Sequence, residues 1–268
     1  DTYSPICISV DGNLNLLGGT FNVKSTGAGG KCIKSDMQII MGTADGVSPD
    51  ITTPPTTTTD GAVSQVWNYS QNSGASAAWM TYGSQVVNDM ALNNGKLYVV
   101  RRNGGNTDNT IQIVNAYTGA SIGSLNTSSC TAGVHYLSAV EALGSSIIAC
   151  NLTNSATTNF VIYKWDSDNA APTVLLNAAP PCTRIGDAMS VSGNATNGRI
   201  WFVYGSVVYY YTISNGAITS TTPTQINLTK DGAEYAISNG NGYGNITVES
   251  DGSFWVSSSI SSYAATHF

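Results

Sequence analysis

Three stretches of the chain repeat one design, and this repetition constrains the fold more than any other feature. Each has a strand of alternating apolar residues, a short polar turn and a second strand rich in apolar or aromatic residues. The three stretches span residues 86–100, 137–150 and 184–205, at intervals of roughly 50 residues. Such a period is typical of arrays of four-stranded antiparallel sheets, in which each repeat supplies one sheet.

Regular β patterning begins at Gly61 and continues to the end of the chain. The first repeat predicts strands at residues 86–92, 96–102, 111–117 and 120–125, and the fourth repeat begins at Glu234. Asx-Gly pairs such as Asn94-Gly95 and Asn197-Gly198 stand at the strand joints, where tight hairpins need positive φ. We therefore predict an all-β fold, a β-propeller-like array of four-stranded antiparallel blades, about five or six in number. An open β-solenoid or a two-sheet sandwich is the alternative.

The segments before Gly61 differ from the repeats. Residues 1–48 contain short apolar segments separated by glycine turns, which predict strands joined by hairpins. They form either a module of their own or part of the blade that closes the ring. Residues 49–60 combine adjacent prolines with a threonine run and predict an extended linker. The expected domains are therefore 1–48, the linker 49–60, and blades over 61–268.

Composition narrows the class of protein. Charged residues are 10% of the 268-residue chain, and the net charge is −6. No basic run exists, which argues against nucleic-acid binding. No apolar run approaches the roughly 18 residues that span a bilayer, which argues against membrane insertion. A surface of Ser, Thr, Asn and Gly is common in extracellular and cell-surface proteins, and this predicts that location. Six N-x-S/T sites are candidate glycosylation positions: Asn68, Asn126, Asn151, Asn194, Asn227 and Asn245.

The five cysteines suggest disulfides. Cys130 and Cys182 each precede the first strand of consecutive repeats, so a bridge between neighbouring blades is geometrically reasonable. Cys7 and Cys32 could close a loop in the N-terminal segment. Cys150 lies in an apolar strand and is interpreted as a small buried hydrophobic residue. Five reduced cysteines are the alternative, and no C-x-x-C spacing indicates zinc.

Residues 66–202 resemble propeller-like domains of uncharacterised secreted proteins from Bacteroidetes and related bacteria. Four features match in order: QVWNYS (65–70) before NDMALNNGKLYVVRR (88–102), IQIVNAYTG (111–119), FVIYKWD (160–166) with PTVLL (172–176), and RIGDAMSVSG (184–193). Such proteins usually carry an aspartate where Asn115 stands here. The resemblance implies a secreted, surface-associated propeller, and it transfers no catalytic residue.

Propeller sites normally lie at one mouth of the central channel, on loops and on the ends of the innermost strands. This places four ligand-binding candidates: Asn88, Asp89, Arg184 and Asp187. Asp89 and Asp187 could be an acid–base pair for glycoside chemistry, or could bind Ca²⁺, and Glu141 and Glu234 fall near comparable positions. The favoured interpretation is structural: both aspartates accept backbone N–H bonds that hold blades together.

Other motifs carry weaker signals. The stretch DSDN (166–169) begins like a calcium loop but lacks its later ligands, so a hairpin tip is expected. The stretch SDGSFW (250–255) has the wrong spacing for an aspartate box. Alternation sends Tyr209 and Tyr211 to one strand face, which would suit sugar stacking if that face were exposed. With only two histidines, a histidine-rich metal centre is excluded.

The sequence therefore predicts a non-enzymatic, extracellular propeller that serves as a binding or structural assembly module. Its expected partners are copies of itself, in a fibre or surface layer, or a surface glycan. The alternative is a carbohydrate-active hydrolase or a glycan-binding protein that uses the channel mouth. No cofactor is expected, apart from the Ca²⁺ option.

Overall fold

The computed structural model describes residues 87–102, 109–237, 244–258 and 265–268, together with Trp67 and the backbone of four N-terminal strands. The chain divides into two compact units, Asp1–Ser64 and Gln65–Phe268. The predicted linker at 49–60 lies outside the described residues. Within the described ranges, no helix is both long and apolar enough to cross a membrane.

The N-terminal unit pairs its strands in parallel. Its strands are β1 (Ile6–Val10), β2 (Leu14–Leu16), β3 (Lys31–Ser35) and β4 (Ile39–Met41). β1 pairs with β3 and β2 with β4, at the same sequence offset. The expectation of hairpins here was wrong, because strands that follow one another in the chain, β1 and β2 or β3 and β4, are not the ones that pair. The register brings Cys7 and Cys32 to opposing positions on β1 and β3, and their disulfide stays a prediction.

The second unit is built from antiparallel sheets that follow one another along the chain, here called blades 1 to 4. Blade 1 contains β5 (Val87–Asn93), β6 (Lys96–Arg102), β7 (Asn109–Asn115) and β8 (Ser121–Ser124). Blade 2 contains β9 (His135–Leu143), β10 (Ser146–Leu152), β11 (Phe160–Trp165) and β12 (Thr173–Ala178).

Blades 3 and 4 are less regular. Blade 3 contains β13 (Ser190–Gly193), β14 (Gly198–Tyr204) and β15 (Val207–Ser214), with β16 (Ala217–Ile218) and β17 (Thr224–Asn227) both paired to β15. A small hairpin of β18 (Thr229–Lys230) and β19 (Ala233–Glu234) follows. Blade 4 contains β20 (Gly244–Val248), β21 (Phe254–Ser258) and β22 (Thr266–His267). The propeller-like all-β class is thus confirmed, with four blades in the described residues in place of five or six.

Strand alternation builds a core between each pair of neighbouring blades. Ile147 and Ala149 of β10 pack in the core between blades 1 and 2, whereas Ile148 and Cys150 pack between blades 2 and 3. In the same way Ile200 of β14 faces blade 2, while the adjacent Trp201 faces blade 4. Side-by-side stacking therefore buries both faces of a central blade, and all seven residues of β10 are buried. The interpretation of Cys150 as a buried hydrophobic residue is confirmed.

Of the two Asx-Gly turns named in the sequence, Asn94-Gly95 has the expected backbone. Asn94 and Gly95 have φ of 48° and 71°, and Asn215-Gly216 has the same form at 52° and 80°. The turn between β13 and β14 differs, because its positive φ of 82° lies at Gly193 and not at Asn197-Gly198. The side-chain oxygen of Asn115 accepts the backbone N–H of Tyr117 at 2.9 Å. The amide oxygen therefore takes the acceptor role in that turn.

The predicted bridge between Cys130 and Cys182 is not formed, and both are free cysteines. Cys130 is buried in the core between blades 1 and 2, whereas Cys182 packs against the core between blades 2 and 3. Because a different blade pair encloses each thiol, the two do not meet. Burial raises the pKa of the Cys130 thiol to about 12.

One glycosylation candidate is excluded by burial. Asn151 has 0% exposure, and its side chain donates to Asn159 O and accepts from Val161 N, each at 2.9 Å. Its prediction as a glycosylation site was wrong, because both ends of the amide are bonded inside blade 2. Asn126, Asn194, Asn227 and Asn245 are exposed and stay candidates, and Asn68 lies outside the described residues.

Candidate functional site

The first candidate residues lie on β5, the innermost strand of blade 1, beside β9 of blade 2. Asp89 accepts the N–H of Met90 with one carboxylate oxygen and the N–H of Val140 in blade 2 with the other, both at 2.9 Å. The Asn88 amide donates to Ser138 O at 2.6 Å. The bonds to Val140 and Ser138 connect blade 1 to blade 2. The structural interpretation of Asp89 is therefore confirmed.

Glu141 of β9 is a carboxylate whose pKa is affected by Asp89. Burial, and to a smaller extent the charge of Asp89, raise the pKa of Glu141 to about 7, although the backbone N–H of Ala142 lowers it in part. Two carboxylates that share a partly buried site disfavour double ionisation. The structure thus brings Asp89 together with Glu141, where the sequence had suggested Asp187 as its partner.

Asp187 forms an ion pair with Arg184, the other predicted site residue. The guanidinium donates from Nε to Oδ2 and from Nη2 to Oδ1, each at 2.6 Å, and both side chains are largely shielded from solvent. Backbone bonds between Ile185 and Thr153 anchor this segment to blade 2. The Asp187 carboxylate thus accepts two hydrogen bonds from Arg184, where backbone N–H donors were predicted. A bidentate pair of this kind gives geometric specificity as well as strength.

The remaining acidic candidates are also engaged. Glu234 is exposed on β19, away from the inner strands, and accepts a hydrogen bond from Ser206. Asp168 lies at the hairpin tip between β11 and β12 and accepts from Lys96 Nζ at 2.5 Å and Tyr98 Oη at 2.7 Å, both in blade 1. The hairpin-tip interpretation of residues 166–169 is confirmed. In the described parts of the chain no group of three or more His, Cys, Asp or Glu could hold a metal ion, and Ca²⁺ binding stays a prediction.

The sugar-stacking hypothesis for Tyr209 and Tyr211 was wrong, because the face they share is buried. Their exposed fractions are 6% and 1%. Tyr211 packs against Phe160 and Phe202 between blades 2 and 3, with ring centroids 6.3 Å from each. Inter-blade packing therefore accounts for this pair.

A different aromatic residue is presented to solvent. Trp255 of β21 is 44% exposed, because its neighbours Phe254 and Val256 point the other way, into the core between blades 3 and 4. Its indole Nε1 donates to Glu249 Oε1 at 2.8 Å, and its ring lies 4.8 Å from the ring of His267 on the adjacent β22. The indole is thus held on two sides and open on the outer face of blade 4.

Polar groups surround this tryptophan. His267 Nε2 lies 3.0 Å from Ser253 Oγ, and the Asp251 carboxylate accepts from the Ser253 N–H at 2.9 Å and from its hydroxyl at 2.6 Å. We call Trp255, Glu249, Ser253 and His267 the blade 4 platform. This platform was not predicted from the sequence, although a tryptophan between two apolar residues of a period-2 strand signals an aromatic on the solvent face.

No protein-family model and no curated protein sequence matches the chain. Among solved structures, it is similar to a DUF4623 family protein from Bacteroides eggerthii DSM 20697, with a TM-score of 0.51 and 17% identity over 65% of this chain and 41% of that one. A fucose-specific lectin from Aleuria aurantia has a TM-score of 0.38 and 18% identity over 65% and 55%. The extracellular domain of a proposed one-component system from B. thetaiotaomicron has a TM-score of 0.33 and 11% identity over 68% and 27%. The chain spans about two fifths of the length of the DUF4623 protein, and that similarity supports the propeller-like fold alone.

Proposed function

We propose that the chain is a non-enzymatic, extracellular carbohydrate-binding module, and that the blade 4 platform is its binding surface. The exposed and immobilised indole of Trp255 carries this proposal. An aromatic face flanked by a few directed polar groups suits a sugar, because the apolar C–H face of the ring stacks and its hydroxyls need hydrogen-bond partners. Glu249, Ser253 and His267 supply those partners.

Pre-organisation favours binding here. The hydrogen bond from Trp255 to Glu249 and the contact with His267 fix the indole before any ligand arrives. A side chain that is already ordered loses little entropy on binding, so a larger part of the contact energy becomes affinity. Large aromatic side chains of this kind commonly dominate the energy of an interface.

The hydrolase alternative receives less support from the inner strands. The Asp89 carboxylate accepts a hydrogen bond from the backbone N–H of Val140, and the Asp187 carboxylate accepts one from the guanidinium of Arg184. A general acid or base needs a carboxylate within reach of a substrate proton. Both aspartates are instead engaged with neighbouring blade elements, and this favours binding over catalysis.

The test is a glycan array with the purified full chain, followed by calorimetry with the best ligand. We expect Trp255→Ala to lower the affinity at least about tenfold, which corresponds to about 1.4 kcal/mol. Trp255→Phe should retain part of the affinity. The matched control is Tyr117→Ala, since Tyr117 is 73% exposed on another blade and its loss should leave binding unchanged. A chain that binds no glycan, or that binds equally well without Trp255, would overturn the proposal.

A second candidate function is self-assembly into a fibre or layer. Met90 and Leu92 of β5 are 56% and 64% exposed, and they point away from the core that Ala91 enters. Exposed large apolar side chains on one sheet face favour contact with another protein surface. The concentration dependence of the mass in solution tests this candidate.

A further inference from the structure

Blade 3 carries a row of polar side chains on the face that also bears Trp201. Arg199 of β14 lies directly opposite Ser192 of β13 and Thr212 of β15. Residues directly opposite one another in a sheet point to the same face. Arg199 and Trp201 are two positions apart in β14, so they share that face as well.

The guanidinium of Arg199 is positioned by aromatic rings. Its Cζ lies 5.0 Å from the ring centroid of Tyr210 and 5.7 Å from that of Trp201. The two rings are themselves 4.5 Å apart, and Trp201 Nε1 donates to Ser192 Oγ at 3.0 Å. Stacking of this kind attracts the cation and leaves the in-plane N–H donors available.

Arg199 also differs from three other cations in its charge environment. Lys96, Lys164 and Arg184 each form an ion pair with an aspartate. In the part of the chain that the structure describes, no carboxylate forms an ion pair with Arg199. An exposed arginine that has no carboxylate partner among the described residues can accept an anion from outside through its local positive charge, although the net charge of the chain is −6.

These side chains line a shallow cavity of about 330 Å³ beside the turn between β13 and β14. Its polar lining is Ser192, Asn197, Arg199 and Thr212. The turn is fixed by glycine, because a Cβ on Gly198 would lie 2.6 Å from Ser192 O. The volume lies at the lower end of the range for small-molecule sites, which is roughly 300–1,000 Å³.

We infer that this cavity binds the carboxylate of an acidic sugar, such as a uronic or sialic acid unit of a glycan. The planar fork of Arg199 matches a carboxylate and can donate two parallel hydrogen bonds. Ser192 Oγ already accepts from Trp201, so its own hydrogen can be donated to the ligand. Asn197 Oδ1 accepts the Asn215 N–H at 3.3 Å. The side-chain NH₂ group of Asn197 can therefore donate to the ligand. This site is separate from the blade 4 platform and does not depend on it.

Calorimetry on the full chain with four probes tests the inference: trigalacturonate, its methyl ester, sialyllactose and lactose. Trigalacturonate or sialyllactose should bind, and the comparison of these two identifies the source of the carboxylate. The methyl ester and lactose, which lack the charge, should bind at least about tenfold more weakly, and the affinity of the acidic probe should fall with salt.

Substitutions of single residues then test whether the acidic probe binds at Arg199. Arg199→Met keeps an apolar stem over Tyr210 but removes the guanidinium fork, and should lower the affinity for the acidic probe at least about tenfold. Arg199→Lys keeps the charge and should lower that affinity less. Lys230→Met is the matched control, since Lys230 Nζ lies 5.7 Å from the Tyr235 ring and its removal changes the net charge equally. The inference is overturned if neither acidic probe binds, if the methyl ester binds as well, or if Lys230→Met weakens binding as much as Arg199→Met.

Discussion

Asp89 and Glu141 illustrate how a contact between blades changes the chemistry of a side chain. Asp89 reaches across to the amide of Val140, and this brings its charge near Glu141 on the same neighbouring strand. Burial is the larger cause of the raised pKa of Glu141, and the charge of Asp89 is the second. Glu141 therefore titrates near neutral pH because of the way blades 1 and 2 pack.

Glu141→Gln tests this coupling. The pKa of Glu141 rises from an ordinary 4.5 to about 7 on folding, so the folded chain holds this proton more tightly than the unfolded chain. Its contribution to stability is present below pH 4.5 and is lost as the pH rises through 7. Glutamine has no charge to bury, so Glu141→Gln should be more stable than the native chain at pH 8, by about 1–2 kcal/mol after allowance for partial exposure, and should differ little at pH 4.

Urea unfolding at pH 4, 5.5 and 8 measures the difference. Glu234→Gln is the control, because Glu234 is exposed and its substitution should give no comparable gain at pH 8. A Glu141→Gln effect that does not change with pH would show that Glu141 titrates in the ordinary range.

At this scale the sequence predicted part of the site. The role of Asp89 as a backbone acceptor followed from its place on an inner strand, whereas its proximity to Glu141 depends on the register between two blades, which no local pattern contains. Trp255 was missed for a related reason. The alternation at residues 254–256 sends it to one face, but whether that face is covered depends on what packs against blade 4.

At the scale of elements, the segment from Arg184 to Asp187 depends on a glycine. Gly186 has φ of 100°, and a Cβ there would lie 2.0 Å from Asn151 O. Asn151 is itself buried and bonds two backbone groups of blade 2. The approach of this segment to blade 2 therefore leaves no room for a side chain at Gly186.

Gly186→Ala should destabilise the chain by about 2 kcal/mol or more, because it adds both a strained φ and a steric clash with backbone. Gly252→Ala is a matched control: Gly252 has φ of 92°, but a Cβ there meets nothing within 4 Å. Gly252→Ala has the strained φ without the clash, so thermal unfolding should show a clearly smaller loss of stability than for Gly186→Ala. Equal losses in the two variants would mean that the clash is relieved by a small backbone shift.

Elements differed in how far local sequence determined them. Asn94-Gly95 and Asn215-Gly216 were predictable because positive φ at both positions is a local requirement of a two-residue hairpin. The parallel pairing of β1 with β3 was not predictable, since a glycine turn is compatible both with a hairpin and with a connection to a strand that does not pair with the one before it. The Cys130–Cys182 bridge failed because the positions of loops along the chain do not define which inter-blade core each thiol enters.

At the scale of the whole molecule, the second unit behaves as a stack in which each blade is covered by the next. Blades 1 and 2, 2 and 3, and 3 and 4 each share one apolar core. In such arrays stability arises mainly from contacts between nearest neighbours. A blade face that bears large exposed apolar groups is therefore the natural place for a further sheet to pack.

The β5 face with Met90 and Leu92 is such a surface, and self-association through it can be measured. If assembly is a function of the chain, light scattering should give a mass that rises with concentration above 27.9 kDa, and the double substitution of Met90 and Leu92 by serine should return it to that value. Val174→Ser is the control, because Val174 is 57% exposed on the outer strand of blade 2 and should not matter. A constant mass of one chain at all concentrations would reject assembly, and would leave the blade 4 platform and the Arg199 cavity as the proposed binding surfaces.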